Sequence, residues 1–254
     1  LLKAVPTALA LKSGNVTLPS PAHTRILCVA NQKGGVGKTT TAVNIAAALA
    51  YGGLRVLLID LDPQGNASTA FSVEHHTGTA GSYEVVVDQI PIAEVVRETA
   101  ISGLVCVPAT LDLAGAETEL VSAVAREQRL RRAVTSYAEQ REQAGSRLDY
   151  VIIDCPPSLG LLTLNALTAA HEVLLPIQCE FYALEGVSQL LRIVDLVSRE
   201  LNPGLTIGQV LLTMFDARTR LSQQVAEDVR AHFGSQVLSA VVPRSVRVSE
   251  APSF

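Results

Sequence analysis

The segment Asn31-Gln32-Lys33-Gly34-Gly35-Val36-Gly37-Lys38-Thr39-Thr40-Thr41 lies directly after the apolar run Ile26-Leu27-Cys28-Val29-Ala30. It lies directly before the helical pattern Ala42-Val43-Asn44-Ile45-Ala46-Ala47-Ala48-Leu49. A strand, a glycine-rich loop and a helix in that order form a cradle for phosphate, because backbone N–H groups turn inward and the helix presents its positive dipole end. Gly37-Lys38-Thr39 supplies the end of the G-x-x-x-x-G-K-[ST] pattern, while Gln32 stands where its first glycine belongs. The cradle survives that loss, since Gly34, Gly35 and Gly37 still let the loop wrap a phosphate. Lys38 then reaches the β- and γ-phosphates and Thr39 ligates Mg²⁺, with Thr40 and Thr41 supporting the first helical turn. A ligand-free glycine turn is the competing reading, and the intact strand, loop, Lys-Thr and helix context disfavours it.

Downstream, strand-like runs alternate with helical ones, which is the pattern of a parallel sheet covered on both faces. Strands are expected at 26–31, 55–60, 103–108, 149–154, 172–177, 207–214 and 237–242, and helices at 39–51, 115–141, 160–170, 183–201 and 219–232. The fold class is therefore α/β, a three-layer and mostly parallel sheet with helices on both faces. With 254 residues, 48% hydrophobic and 17% charged, the chain can bury one large core, and nothing forces a second domain. Residues 1–24 carry Pro6, Pro19 and Pro21 without a sustained period, and are expected to be a flexible tail before a domain at 25–254. The abrupt end at Pro252-Ser253-Phe254 reads as that of a fragment.

In such sheets ligands bind beyond the carboxyl ends of the strands, so acids there carry most weight. Val56-Leu57-Leu58-Ile59-Asp60 is followed by Leu61-Asp62-Pro63-Gln64-Gly65. Two carboxylates two residues apart on an extended segment point the same way, and the Pro and Gly turn the loop sharply. Beside Mg²⁺ and a γ-phosphate, one acid can hold the metal's water shell and another can orient the attacking water. Tyr150-Val151-Ile152-Ile153-Asp154 ends in an acid suited to hold Mg²⁺ through its water shell, before Cys155-Pro156-Pro157. Asp149 precedes its strand and so lies at the wrong end.

Lys33 to Thr40, K-G-G-V-G-K-T-T, resembles the deviant Walker A motif of the MinD/ParA class of P-loop ATPases. The resemblance implies that Lys33 crosses a dimer interface to the partner's phosphates, a cation delivered in trans to the spread charge of phosphoryl transfer. Candidate nucleotide contacts are then Lys33, Gly34, Gly35, Val36, Gly37, Lys38, Thr39, Thr40 and Asp154, with Thr39, Asp62 and Asp154 around the metal. Lys33, Lys38 and Asp62 become the catalytic candidates, and Asp60 the more structural acid. The segment after Asp60 looks like switch I, and Cys155 to Gly160 like switch II. Gln178-Cys179-Glu180-Phe181-Tyr182-Ala183-Leu184-Glu185-Gly186, Met214 to Thr219 and Val242 to Pro252 look like ParA/Soj chromosome-partitioning ATPases rather than MinD.

That likeness runs from about Ile26 to the last residue. It implies adenine contacts at Phe215, Asp216, Pro243 and Arg244, and sequence-independent DNA contacts at Arg218 and Arg247. Glu180 and Glu185 are candidates for the dimer face or the nucleotide rim, or simply for capping and surface charge. It further implies ATP/ADP and Mg²⁺ as cofactors, an ATP-bound homodimer, nonspecific double-stranded DNA and a ParB-type centromere-binding partner, in a cytoplasmic, nucleoid-associated setting. The family's C-terminal helix is not within the sequence.

A MinD-like ATPase that displays amphipathic helices to lipid is the alternative. The Asp216-Ala217-Arg218-Thr219 and Arg247 segments favour DNA, and Cys155-Pro156-Pro157 departs from the MinD pattern. No run reaches the roughly 18 apolar residues of a membrane span, and no membrane partner is expected. The formal charge of -4 gives no global basic field, so DNA contact requires a local patch. Arg126, Arg129, Arg131 and Arg132 read as the solvated face of an amphipathic helix. The four cysteines, Cys28, Cys106, Cys155 and Cys179, read as buried thiols, and their spacing does not match a nitrogenase iron-protein-like cluster.

Overall fold

The computed structural model describes residues 16–181 and 183–245. Its strands are β1 (Arg25–Val29), β2 (Val56–Asp60), β3 (Arg97–Glu98), β4 (Leu104–Val107), β5 (Tyr150–Asp154), β6 (Glu172–Gln178), β7 (Thr206–Phe215) and β8 (Val237–Pro243). They form one sheet in the order β3-β4-β2-β5-β1-β6-β7-β8. Every pairing is parallel except β3 with β4. Chain order reverses at β1, which lies between β5 and β6, so the crevice beyond its carboxyl end is the ligand position that this topology favours.

Side chains alternate between two cores, as the pleat requires. Leu57 and Ile59 of β2 face one core and Val56 and Leu58 the other. The second core is closed by helix α1 (Lys38–Tyr51), whose Ala42, Ala46 and Ala50 recur every four residues and let the helix lie close to the sheet. The short α2 (Asn66–Ala70) joins it through Ala67 and Phe71. The opposite face takes side chains from α4 (Leu113–Glu119), α5 (Arg129–Gln143), α6 (Leu161–Ala169), α7 (Glu185–Glu200) and α8 (Arg220–Phe233), after a small α3 (Ile92–Val95). The three-layer α/β arrangement expected from the alternation is the one observed.

The single helix expected at 115–141 is corrected to α4 and α5 with a turn between them. Ala123 is extended and Ala125 has φ 49°, both incompatible with a continuous helix. The break is held from outside: Asn165 of α6 accepts from the Leu130 N–H at 3.1 Å and donates to the Arg126 carbonyl at 2.7 Å. The Arg126 to Arg132 cluster is accordingly more engaged than a solvated face. Arg129 Nη1 donates to the Val86 and Val87 carbonyls, and Arg131 Nη1 to that of Leu201. Small elements over 66–98 also had no periodic signal, including a π-helical turn at Glu84–Asp88.

Residues 16–24 are fastened to the domain by polar contacts. The Leu18 N–H donates to the Gly52 carbonyl at 2.8 Å and the Thr24 hydroxyl to the Leu148 carbonyl at 2.6 Å. Asp149, at the amino end of β5, accepts from Ser20 and from the Arg55 N–H. It is a buried joint at the far end of the sheet from the phosphate loop. All four cysteines are buried and unpaired.

Candidate nucleotide site

The loop between β1 and α1 is shaped from the sequence upward. Gly35 and Gly37 take φ 71° and 89°, the left-handed region where a Cβ is strained. Asn31, immediately after β1, is buried; its amide donates to the Pro176 carbonyl at 2.7 Å and its oxygen accepts from the Lys33 N–H at 3.0 Å. On the other side the buried Thr213 of β7 donates to the Val36 carbonyl at 2.9 Å. Sequence reasoning passed over both side chains; the only signal was a polar residue inside or directly after an apolar run.

The two lysines of the loop part company. Lys38 is buried, and its ammonium donates to the Lys33 carbonyl at 3.1 Å, inside its own loop. Burial pulls Lys38 below the ordinary lysine value, with Asp154 foremost among the groups opposing that shift. The Lys33 ammonium instead lies at the rim, 3.8 Å from Glu180, with its side chain 45% exposed. Arg244 reaches the other oxygen of Glu180 at 3.7 Å, and its N–H donates to the Phe215 carbonyl at 3.0 Å. Gly34 has open space where a Cβ would stand.

Two acids line the floor. Asp60 and Asp154 are register partners on β2 and β5, both fully buried. Asp60 accepts from the Ser68 N–H at 2.8 Å, the Ser68 hydroxyl at 2.7 Å and the Asp62 N–H at 3.2 Å. Burial still pushes it up to about 6 against those bonds. Neither oxygen of Asp154 has a hydrogen-bond partner of ordinary geometry. Burial first, and the charge of Asp60 second, push it well above the carboxylate range, while Thr39 and Lys38 pull the other way. Asp62 is buried in the turn after β2 and accepts from the Gln64 N–H at 3.0 Å.

Buried carboxylate oxygens without partners beside Thr39 and Lys38 fit a site for a hydrated cation accompanying phosphate. Among the described residues, no group of three or more His, Cys, Asp or Glu forms a metal cage by itself.

Of the remaining candidates, Asp216 and Arg218 form a two-point pair: Arg218 Nε donates to Asp216 Oδ1 at 2.9 Å and Nη2 to Oδ2 at 2.7 Å. Arg218 holds Asp216 down to about 2. The Arg218 side chain is 88% exposed. Phe215 and Pro243 are register partners at the ends of β7 and β8, next to Arg244, so the adenine candidates share one corner of the sheet. Arg247 and Tyr182 lie outside the described residues, as does the side chain of Glu185.

A glycine-rich cradle at the point where a parallel sheet reverses its order defines a P-loop nucleoside triphosphatase, and the lysine at 33 places it in the deviant Walker A branch. Residues 24–207 match the family described as an AAA domain. The chain is 54% identical over 230 residues to the chromosome partitioning protein ParA of Myxococcus xanthus, covering 91% of this chain and 79% of that one. It is 52% identical over 229 residues to the sporulation initiation inhibitor protein Soj of Bacillus subtilis, covering 90% and 88%. A solved structure described as cobyrinic acid a,c-diamide synthase from Mycobacterium smegmatis, with bound ADP and magnesium, matches with TM-score 0.79 and 41% identity over 91% of this chain and 92% of that one. The chain belongs to the ParA/Soj family of chromosome-partitioning ATPases. No helix among the described residues is long and apolar enough to cross a membrane.

Proposed function

We propose that this chain is a Mg²⁺-dependent, ATP-driven dimerisation switch that grips DNA without sequence preference and releases it after slow, partner-stimulated hydrolysis. The observation that carries the reading is the divergence of the two loop lysines. Lys38 is committed to the subunit's own phosphate cradle, while the Lys33 ammonium is at the exposed rim beside Glu180. A cation in that position serves a second subunit's nucleotide better than its own.

In this reading backbone N–H groups of residues 33–38 and the Lys38 ammonium hold the β- and γ-phosphates. Thr39 would hold Mg²⁺ directly and Asp154 through its water, and the metal supplies neutralisation of the β- and γ-oxygens. Asp62 orients the attacking water, and Asp60, itself held by Ser68, keeps the Asp62 turn in place by accepting from the Asp62 N–H. Phe215, Asp216, Pro243 and Arg244 are the proposed adenine rim. Arg218 and Arg247 are proposed phosphate contacts for DNA, doubled in number by the dimer. A ParB-type partner and a cytoplasmic, nucleoid-associated setting complete the reading, supported by 52–54% identity to proteins named for partitioning.

The test measures duplex DNA binding with ATP against salt concentration, beside flotation with anionic vesicles. Binding to DNA only with ATP, with a salt slope reduced by about one in Arg218→Ala, is the expected result. ATP-dependent vesicle binding without DNA binding would move the chain to the MinD-like alternative.

A further inference from the structure

Helix α6 begins directly after the loop 155–160 that follows Asp154, and its first residues carry no cap of their own. The cap comes from α4. Glu117 Oε2 accepts from the Leu161 N–H at 2.7 Å and Oε1 from the Leu162 N–H at 3.3 Å. A carboxylate on free N–H groups at a helix start satisfies both the orphan donors and the dipole. Gly160 has φ -83°, open to any residue, yet a Cβ there would collide with the Glu117 carboxylate. A Cβ at 160 would therefore displace the Glu117 carboxylate, the far end of a flexible side chain, from the start of α6.

Glu117 also completes a circuit. The Ser68 hydroxyl donates to Asp60, and accepts from the Ala109 N–H at 3.1 Å. Residues 109–112 lead into α4, whose Glu117 holds the start of α6. The loop back from α6 runs through Pro156 and Pro157 to Asp154, the register partner of Asp60. Each joint is a hydrogen bond or a short stretch of chain with little slack.

We propose that Glu117 is a positioning residue for hydrolysis, tying the loop after Asp154 to the loop after Asp60 so that the two acid-bearing loops are set together. The proposal rests on the ATPase reading above. Loss of the tie leaves the phosphate cradle intact and lowers turnover, because Asp62 and Asp154 no longer hold one fixed relation.

The experiment measures nucleotide affinity, steady-state ATP turnover and melting temperature for the full chain and for Glu117→Ala, Glu117→Gln and Gly160→Ala. Amide exchange is followed at Leu161 and Leu162. Glu117→Ala and Gly160→Ala are expected to lose protection at both amides and to lower kcat by about tenfold, with ATP affinity within about twofold. Glu117→Gln, whose amide oxygen still accepts from Leu161, should recover most of the turnover. Unchanged kcat in both cap-breaking variants would overturn the proposal, as would Glu117→Gln falling as far as Glu117→Ala. Parallel losses of affinity, melting temperature and kcat would reduce Glu117 to a structural cap and overturn it too. Absence of turnover in the unaltered chain would overturn the ATPase reading and this role with it, even where amide protection still reports the cap.

Discussion

The floor of the nucleotide site and its rim treat charge in opposite ways. On the floor, Asp154 is buried with both oxygens unpartnered, beside a buried Asp60 pushed up to about 6. At the rim, Lys33 and Arg244 share Glu180, and Arg218 grips Asp216 at two points, all on partly or largely exposed side chains. The floor therefore stores an electrostatic cost that a cation can relieve, whereas the rim's cations already have counter-ions that any incoming phosphate must displace. A buried charge without a partner costs several kcal/mol, while an exposed pair is worth ~0–1 kcal/mol. Substitutions on the floor should accordingly act strongly, and those at the rim weakly.

The largest effect is expected from Lys38→Ala, which removes the only buried cation of the loop. Affinity for a fluorescent ATP analogue should fall by about 100-fold or more, on the scale of a lost charge-assisted contact in a dry site. Retained affinity would dissolve the contrast between floor and rim. Next comes Asp154→Asn, which separates stability from turnover. Turnover should drop by about 100-fold, while the melting temperature of the nucleotide-free fold should hold or rise, because burial already disfavours the charged carboxylate. A melting temperature lowered by this change would mean that the carboxylate is already compensated.

Gly34→Val comes third and acts at the boundary between the two regions. A Cβ at Gly34 meets open space in the single subunit, so ATP binding should persist within about threefold and the melting temperature should hold. In the proposed dimer the added side chain would stand where a second subunit approaches, so the ATP-dependent dimer should be lost. A dimer of ordinary strength on light scattering would remove Gly34 from the interface. The smallest effect belongs to the rim: Asp216→Asn frees Arg218, and DNA binding should strengthen by about two- to fivefold at low salt, the range of one exposed pair. A weaker DNA complex would show that Asp216 assists the contact instead of competing for it.

The same contrast governs how much of the molecule could be read from its sequence. The phosphate loop and the strand-terminal acids Asp60 and Asp154 were legible because strand, turn and acid are neighbours in the chain, and buried parallel strands read as apolar runs. The pairing of Arg218 with Asp216 is equally local, two residues apart, and was within reach as an Asx-type turn. The break at 123–128 was not, since Asn165 holds it from another helix. Nor was the hold of Glu180 on Lys33, which depends on β6 lying beside β1. Thr213 reaches Val36 for the same topological reason. Local chemistry announced the site, and strand order assembled its rim.

The central claim, that Lys33 belongs to a neighbour's site and the working unit is a pair, is tested most directly by light scattering on a column with the Asp62→Ala variant. That change should leave ATP bound and unhydrolysed, so the chain is expected to run as a dimer with ATP and Mg²⁺ and as a monomer with ADP. The double variant with Lys33→Ala should stay monomeric in both. A single-variant chain that remains monomeric with saturating ATP, or a double variant that dimerises as well as the single one, would contradict the account.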